Sequence, residues 1–535
     1  MSTPEMTAGK TTPTAAAQPA ASQQQPVFNF RLACGLLGVL LAAMIAGLNN
    51  RVPGLTLVDM QGTLGFSKDG ASWLTTAYSA GELAAMPFAT WFAITFSLRR
   101  FHLTMLSAAL FLSLIIPYVR DLNLLLVLRA CQGLFSGALI PLLMMSALRF
   151  LPLSIRLHGL ALYAMTATFS PNISLWLAAL CVDRLEDWRW VYWHVIPLGL
   201  IAICLVAWGI PKLPTALPRL KQGNWLGMAL GVPGLALIVI GIDQGVRLDW
   251  FHSPVIVASL TVGAIFIALY LISEWSHPQP FMRLQMLARR NLGLGFAIFV
   301  FLLITMSTAV TLPANVLGQL QGFRMEQSAS IGLIVGLPQL VLGSAVALLL
   351  YRRWVDARYV FAIGLSCIGA ACWLGSGITS EWMVEQFAGA EILQAIGQPM
   401  AVVSLLFLST SVVQPMEGQY VAGIVNTFRA FSSVLGGAAI NQMMSVRGHF
   451  HSEMLLDQAG LRLPGLPSSD SMLSTLSATV TQQASVLAAA DIYRVFGLIA
   501  LLLIPAVLKL QHIPAPVTAL PPQVRPSGAK SGASH

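Results

Sequence analysis

A single arginine, Arg129, interrupts the apolar run Leu124–Leu143. A cation inside a segment long enough to cross a bilayer costs roughly 3 kcal/mol on insertion scales, so it marks a polar pathway rather than a lipid-facing surface. Gln132 and Ser136 follow at i+3 and i+7, on the same helix face. Gly133 and Gly137 form a small-xxx-small pair that lets a second helix come close. Such an arginine can organise a charge network that changes partners between two conformations; the plainer alternative is a scaffold arginine bonded to backbone carbonyls. Glu82, in Tyr78-Ser-Ala-Gly-Glu-Leu-Ala-Ala-Met86, has no charged neighbour in sequence. Desolvation disfavours the charged form of a buried acid, so Glu82 could exchange a proton at ambient pH or hold a cationic substrate. Its alternative role is as the structural partner of Arg129.

A matching pattern lies about 260 residues on, where Glu391, Gln394 and Gln398 share one face at i, i+3 and i+7. Gly397-Gln-Pro399 can loosen that helix, and Arg429, in Asn426-Thr-Phe-Arg-Ala430, is the expected counter-charge. Glu82 and Glu391 are thus the candidate proton or substrate acids, and Arg129 and Arg429 the charge network. Asn49, Gln132, Gln394, Gln398 and Asn426 are the expected polar lining of a cavity.

The elements that must hold these residues follow from composition. Hydrophobic residues make up 56% of the chain and charged ones 10%, against roughly 25% charged in soluble domains. That balance predicts an all-α integral membrane protein. Apolar runs predict about fourteen spans, at 32–50, 71–97, 101–119, 122–148, 157–181, 189–210, 224–242, 254–274, 291–317, 328–351, 358–378, 382–412, 419–444 and 490–511. With both termini cytoplasmic, about eighteen Lys and Arg fall inside and eight outside, Arg51 among the latter, as the positive-inside rule requires. The pairing of Arg129-Ala-Cys-Gln132 with Glu391-Ile-Leu-Gln394 suggests two six-span halves, 31–211 and 279–511, with two spans inserted at 212–278. A long outer loop is expected at 445–489, and disordered tails at 1–30 and 512–535.

Several segments together resemble the major facilitator superfamily, in its fourteen-span drug:proton antiporter branch (EmrB/QacA-like). They include Leu128-Arg-Ala-Cys-Gln-Gly133, Trp188-Arg-Trp-Val-Tyr-Trp-His-Val-Ile-Pro-Leu-Gly199 and Gly241-Ile-Asp-Gln-Gly-Val-Arg-Leu-Asp-Trp-Phe251. Ala288-Arg-Arg-Asn-Leu292, Asn426-Thr-Phe-Arg429 and the run from Gln482 to Tyr493 continue the series in family order. The resemblance implies a major facilitator fold and alternating access in a bacterial inner membrane. It also implies a small-molecule substrate and protons as partners, with a periplasmic adaptor and an outer-membrane channel beyond them. Three signatures are degenerate. Asn49 stands where such exporters carry an aspartate in span one, only the basic end of the loop motif Thr90–Arg100 is kept, and the span-five antiporter motif reads Ser174-Leu-Trp-Leu-Ala-Ala179.

The six cysteines show no metal or disulfide spacing, and no metal or cofactor is expected. No phosphate-binding loop of an ATP-driven pump occurs, nor a catalytic constellation on a soluble domain, so neither pump nor enzyme is expected. Lys and Arg punctuate the span ends rather than forming a patch for nucleic acid. The expectation is a proton-driven exporter of amphipathic small molecules such as drugs, toxic metabolites or natural products. An importer or facilitator of a specific solute such as a siderophore is the alternative, followed by a transport-inactive sensor or partner subunit.

Overall fold

Polar side chains open several of the helices. In the computed structural model, Asn29, Ser67, Asp121 and Asp356 each accept a hydrogen bond from a first-turn backbone N–H, satisfying donors that a helix start leaves orphaned. The structure describes residues 28–152, 154–414, 417–462 and 470–516. The expected disordered tails therefore lie almost wholly outside the described residues.

Among these residues the long helices are α1 (Phe30–Leu55), α2 (Lys68–Thr95), α3 (Leu98–Tyr118), α4 (Leu122–Phe150), α5 (Arg156–Arg184) and α6 (Trp190–Gly209). There follow α7 (Trp225–Gly245) and α8 (Pro254–Ser276), then α9 (Arg290–Gln321), α10 (Met325–Leu350), α11 (Ala357–Gly375) and α12 (Val384–Thr410). The last two are α13 (Gly418–Arg462) and α14 (Asp470–Leu508). Twelve of them are long and apolar enough to cross a membrane. The other two, α2 and α13, are long but more polar; both pack among their neighbours, α2 against α4, α7 and α13, and α13 against α9 and α14.

Helices α1–α6 pack on one another, as do α9–α14. The two groups meet where α2 lies on α13 and where α5 lies on α10 and α12. The pair α7–α8 rests against α2, and α7 also touches α13, so the insertion spans the seam between the groups. At one end of that seam, Arg324 bonds Asp183 at 2.6 Å and Arg184 bonds Glu326 at 2.9 Å, tying α5 to the start of α10. At the other end, the α4, α12 and α13 segments around Leu142, Leu406 and Val421 are fully buried. There Tyr163 of α5 donates to Asn426 of α13 at 2.9 Å.

One expectation needs correction. Residues 445–462 and 470–489, expected as loop, are helical: α13 and α14 run on as a hairpin, and 463–469 lie outside the described residues. The 45 residues of α13 measure about 68 Å at 1.5 Å per residue, against roughly 30 Å of hydrocarbon. Polar residues there break the apolar run without breaking the helix, because the two helices bond each other. Asp491 of α14 accepts from Arg447 at 2.6 Å, His451 at 2.8 Å and Arg494 at 3.3 Å.

Helices α2 and α4 touch backbone to backbone. A Cβ added at Gly81 would strike the Ala130 carbonyl, and one at Gly133 the Tyr78 carbonyl. Overpacking of this kind costs about 1–3 kcal/mol. Gly133→Leu is therefore expected to lower the thermal midpoint or the monodisperse yield in detergent, measured by size exclusion after heating; Gly437→Ala, where an added Cβ meets open space, serves as the control. A second test concerns the segment before α9, where Arg289 holds Glu417 by two hydrogen bonds of 2.7 Å. The bond to Arg289 lowers the Glu417 pKa below its ordinary 4.5. A depressed folded-state pKa gives stabilisation that is complete above the ordinary value and lost as pH falls through the folded value. Glu417→Gln should flatten the melting-temperature profile below about pH 4.5 and lower the midpoint at pH 7.

Candidate functional site: a charged cavity between the helix groups

The fully buried Arg129 guanidinium is met by acceptors on three helices. It donates to the Asn49 carbonyl on α1 at 3.2 Å, the Leu74 carbonyl on α2 at 3.4 Å and Gln132 Oε1 on α4 at 2.6 Å. Its face lies over the Tyr78 ring at 4.6 Å and near the Tyr192 ring at 5.5 Å, contacts that favour a desolvated cation. Gln132 donates onward to Ser113 at 2.8 Å and to Asn49 Oδ1 at 3.5 Å. Asn49 and Gln132 are therefore parts of the arginine's cage. Among the described residues Glu82 makes no hydrogen bond or ion pair to Arg129; it sits one turn beyond Tyr78, beside α7 and α13, and its carbonyl faces Gly137. The expected Glu82–Arg129 pairing is corrected on that ground.

Glu82 instead faces a cavity of about 220 Å³ walled by α1, α2, α7 and α13. Arg51, Asn50, Ser79, Asp243, Arg429 and Ser433 share that wall. A second cavity of about 230 Å³ adjoins it through Arg51, Gly54, Arg429 and Ser433. Its other walls are α5, α9 and α12, where Leu303, Met306 and Val310 supply apolar surface and Asn172 and Gln398 polar groups. Among the described residues no acid lines this second chamber.

Arg51, expected outside, belongs to the last turn but one of α1 and points into both chambers. Helix α1 continues through Pro53 to Leu55, whereas the sequence reading ended the span at Asn50. Among the described residues Arg51 makes one long hydrogen bond, to Ser433 at 3.4 Å. Arg429 donates to Thr166 Oγ1 at 2.9 Å and to its carbonyl at 2.8 Å, joining α13 to α5. It is thus not the counter-charge of Glu391. That acid is buried at the α12 interface, one carboxylate oxygen has no partner, and no cation pairs with it among the described residues.

The α12 stripe forms a bonded chain: Gln398 donates to Gln394 at 3.4 Å, and Gln394 to Thr308 at 3.3 Å. Asn172 of α5 joins it by donating to Gln398 at 2.9 Å. Of the five residues expected to line a cavity, Gln398 reaches the wall of the second chamber; Gln394 stands behind it and Asn426 is taken up by Tyr163. Sequence reasoning missed Arg51, Thr166, Asn172 and Asp243. Arg51 carried a signal, a cation one residue beyond an apolar run, but the others are ordinary polar residues until the packing is known.

The family profile of the Major Facilitator Superfamily matches residues 39–437. The chain belongs to the major facilitator superfamily. It is 23% identical over 468 residues to the multidrug export protein EmrB of Escherichia coli K12, covering 86% of this chain and 89% of that protein. It is 22% identical over 506 residues to the fatty acid resistance protein FarB of Neisseria gonorrhoeae, covering 90% and 96%. Among solved structures, the proton:xylose symporter XylE bound to 6-bromo-6-deoxy-D-glucose aligns with a TM-score of 0.55 at 12% identity, over 90% of this chain and 96% of that one. The superfamily's fold and the twelve apolar helices make the protein a multi-pass membrane transporter, not an enzyme.

Because the Arg129 fork binds acceptors on three helices, a lysine cannot replace it. Arg129→Lys and Arg129→Gln are both expected to reduce transport at least tenfold while the protein still inserts, measured as substrate flux per membrane-inserted molecule. Flux retained in either variant would leave Arg129 as scaffold alone.

Proposed function

We propose that this transporter is a proton-driven exporter of amphipathic small molecules in a bacterial inner membrane. The observation that carries the reading is the paired cavity: a Glu82 carboxylate with no ion pair among the described residues, sharing its chamber with two arginines and adjoining a chamber with an apolar wall. An amphipathic molecule can lay its hydrocarbon on Leu303, Met306 and Val310 and its polar end on the Arg51–Arg429 side. Protonation of Glu82 raises the cavity's net charge by one, and in a dry site that change biases the packing between the helix groups. Likeness to the export proteins EmrB and FarB over nearly the whole chain supports export rather than import.

In this reading all fourteen long helices cross the membrane and both termini are cytoplasmic. The halves comprise 31–211 and 279–511, with α7 and α8 inserted between them. The outer hairpin of α13 and α14 then faces the periplasm, where exposed Val446, Phe450, Met454 and Leu473 offer an adaptor a surface; an outer-membrane channel completes that route. Glu82 is the proton site, Glu391 a second buried acid of the same machinery, and Arg129 and Arg429 the residues whose contacts change as the helices move.

Direction decides the matter. Everted inner-membrane vesicles energised by respiration are expected to accumulate an amphipathic fluorescent probe, and a protonophore should discharge it. Glu82→Gln should cut accumulation at least tenfold while leaving probe binding measurable. Accumulation in right-side-out vesicles instead would make the protein an importer.

A further inference from the structure

We propose that Asp243, on the inserted helix α7, is a second proton-binding carboxylate of the transport cavity, reached from the outer face along a polar seam between α2 and α7. The inference rests on the exporter reading and adds a role for a helix pair that the two six-helix halves do not need for their fold. Asp243 lines the same chamber as Glu82. One of its oxygens, Oδ2, accepts from the Thr76 hydroxyl on α2. Thr76 Oγ1 in turn accepts from Gln244 Nε2 at 2.5 Å, and Gln244 Oε1 accepts from Arg247 Nε at 2.6 Å. Arg247 pairs with Asp69 at 3.0 Å. The Asp69 side chain is 74% exposed and Arg247 26% exposed, whereas Gln244 is buried. Ser72 contributes its carbonyl and hydroxyl to the same seam. Polar groups thus run without a break from the start of α2 to the cavity, flanked by the apolar surfaces of the two helices.

The charges facing Asp243 come from each element packed on the chamber: Glu82 from α2, Arg51 from α1 and Arg429 from α13, with Arg247 one turn away on α7 itself. Two carboxylates and two guanidiniums balance when both acids are ionised. Taking up one proton on either acid leaves the chamber positive by one, and a second proton leaves both arginines uncompensated. A two-acid cavity can therefore hold a proton while the other acid still neutralises one arginine, which a lone Glu82 cannot do. The proton step is a simple transfer: a hydronium ion from the outer face gives up a proton and becomes water, an Asp243 oxygen gains the O–H bond, and that bond breaks to water on the opposite half-cycle. Asn49, in the position of the usual span-one acid, is caged by Arg129 and Gln132 and cannot serve.

The test uses the full-length protein in liposomes loaded with a pH-sensitive dye. Wild type is expected to move protons when the amphipathic probe is added to one side. Asp243→Asn should lose at least tenfold of this proton movement and of gradient-driven accumulation, yet keep probe exchange at equal concentrations on both sides, because exchange needs no proton. Asp243→Glu should restore proton movement, and Thr76→Val, which removes the hydroxyl but not the acid, should slow it. Should Asp243→Asn keep wild-type proton movement with exchange intact, the proposal fails while the exporter reading stands. Wild type that exchanges no probe at all sinks both. If Asp243→Asn loses exchange along with proton movement while remaining monodisperse, Asp243 serves substrate binding and the proton assignment is overturned.

Discussion

A guanidinium withdrawn from water must be met by fixed acceptors, and Arg129 sets that requirement at the centre of the first helix group. Its partners come from α1, α2 and its own helix, so none of the three can shift without breaking a charge-assisted bond. The requirement reaches further through geometry. The Leu74 carbonyl is within range only because Gly81, Gly133 and Gly137 let α2 and α4 touch backbone to backbone. That contact also turns Glu82 away from Arg129 and toward the cavity. One buried cation thereby fixes a helix spacing, and the spacing decides which acid is free.

The cavity shows the complementary condition. Arg51 and Arg429 are held by hydroxyls and a carbonyl rather than by carboxylates, although two carboxylates share their chamber. Pairing them tightly would stabilise the resting protein and leave nothing for a ligand or a proton to alter. A looser set of charges, balanced in sum but without close ion pairs, keeps the energetic difference between protonation states large. In the proposed reading the degenerate motifs fit this arrangement, with the coupling role carried instead by residues on α1, α2, α7 and α13.

Much of the architecture could be read from the chain. Every long helix lies within an expected apolar run or extends one, because a bilayer allows few other ways to satisfy a backbone. The buried polar residues Arg129, Gln132, Glu391, Gln394 and Gln398 were likewise visible as polar stripes on apolar helices. Their partners were not. Glu82 and Arg129 looked like a natural pair on charge alone, but a helix presents different faces at positions one turn apart. Arg429 and Glu391 failed as a pair for the same reason: α13 turns its arginine toward α5. Residues such as Thr166 and Asn172 carry no signal of their own and acquire meaning only from what packs on them.

The continuous helix α13 has a mechanical consequence. Arg429 lies near one end of it and Arg462 at the other, with no proline between them. The intervening 33 residues make a rod of about 50 Å. A tilt of only about 5° at the cavity would sweep the far tip through about 4 Å. Because Asp491 fastens α14 to the same rod, the pair would swing as one body. A small rearrangement at the cavity would thus be geared up into a larger displacement at the tip of the hairpin, in the manner of a pointer on a balance.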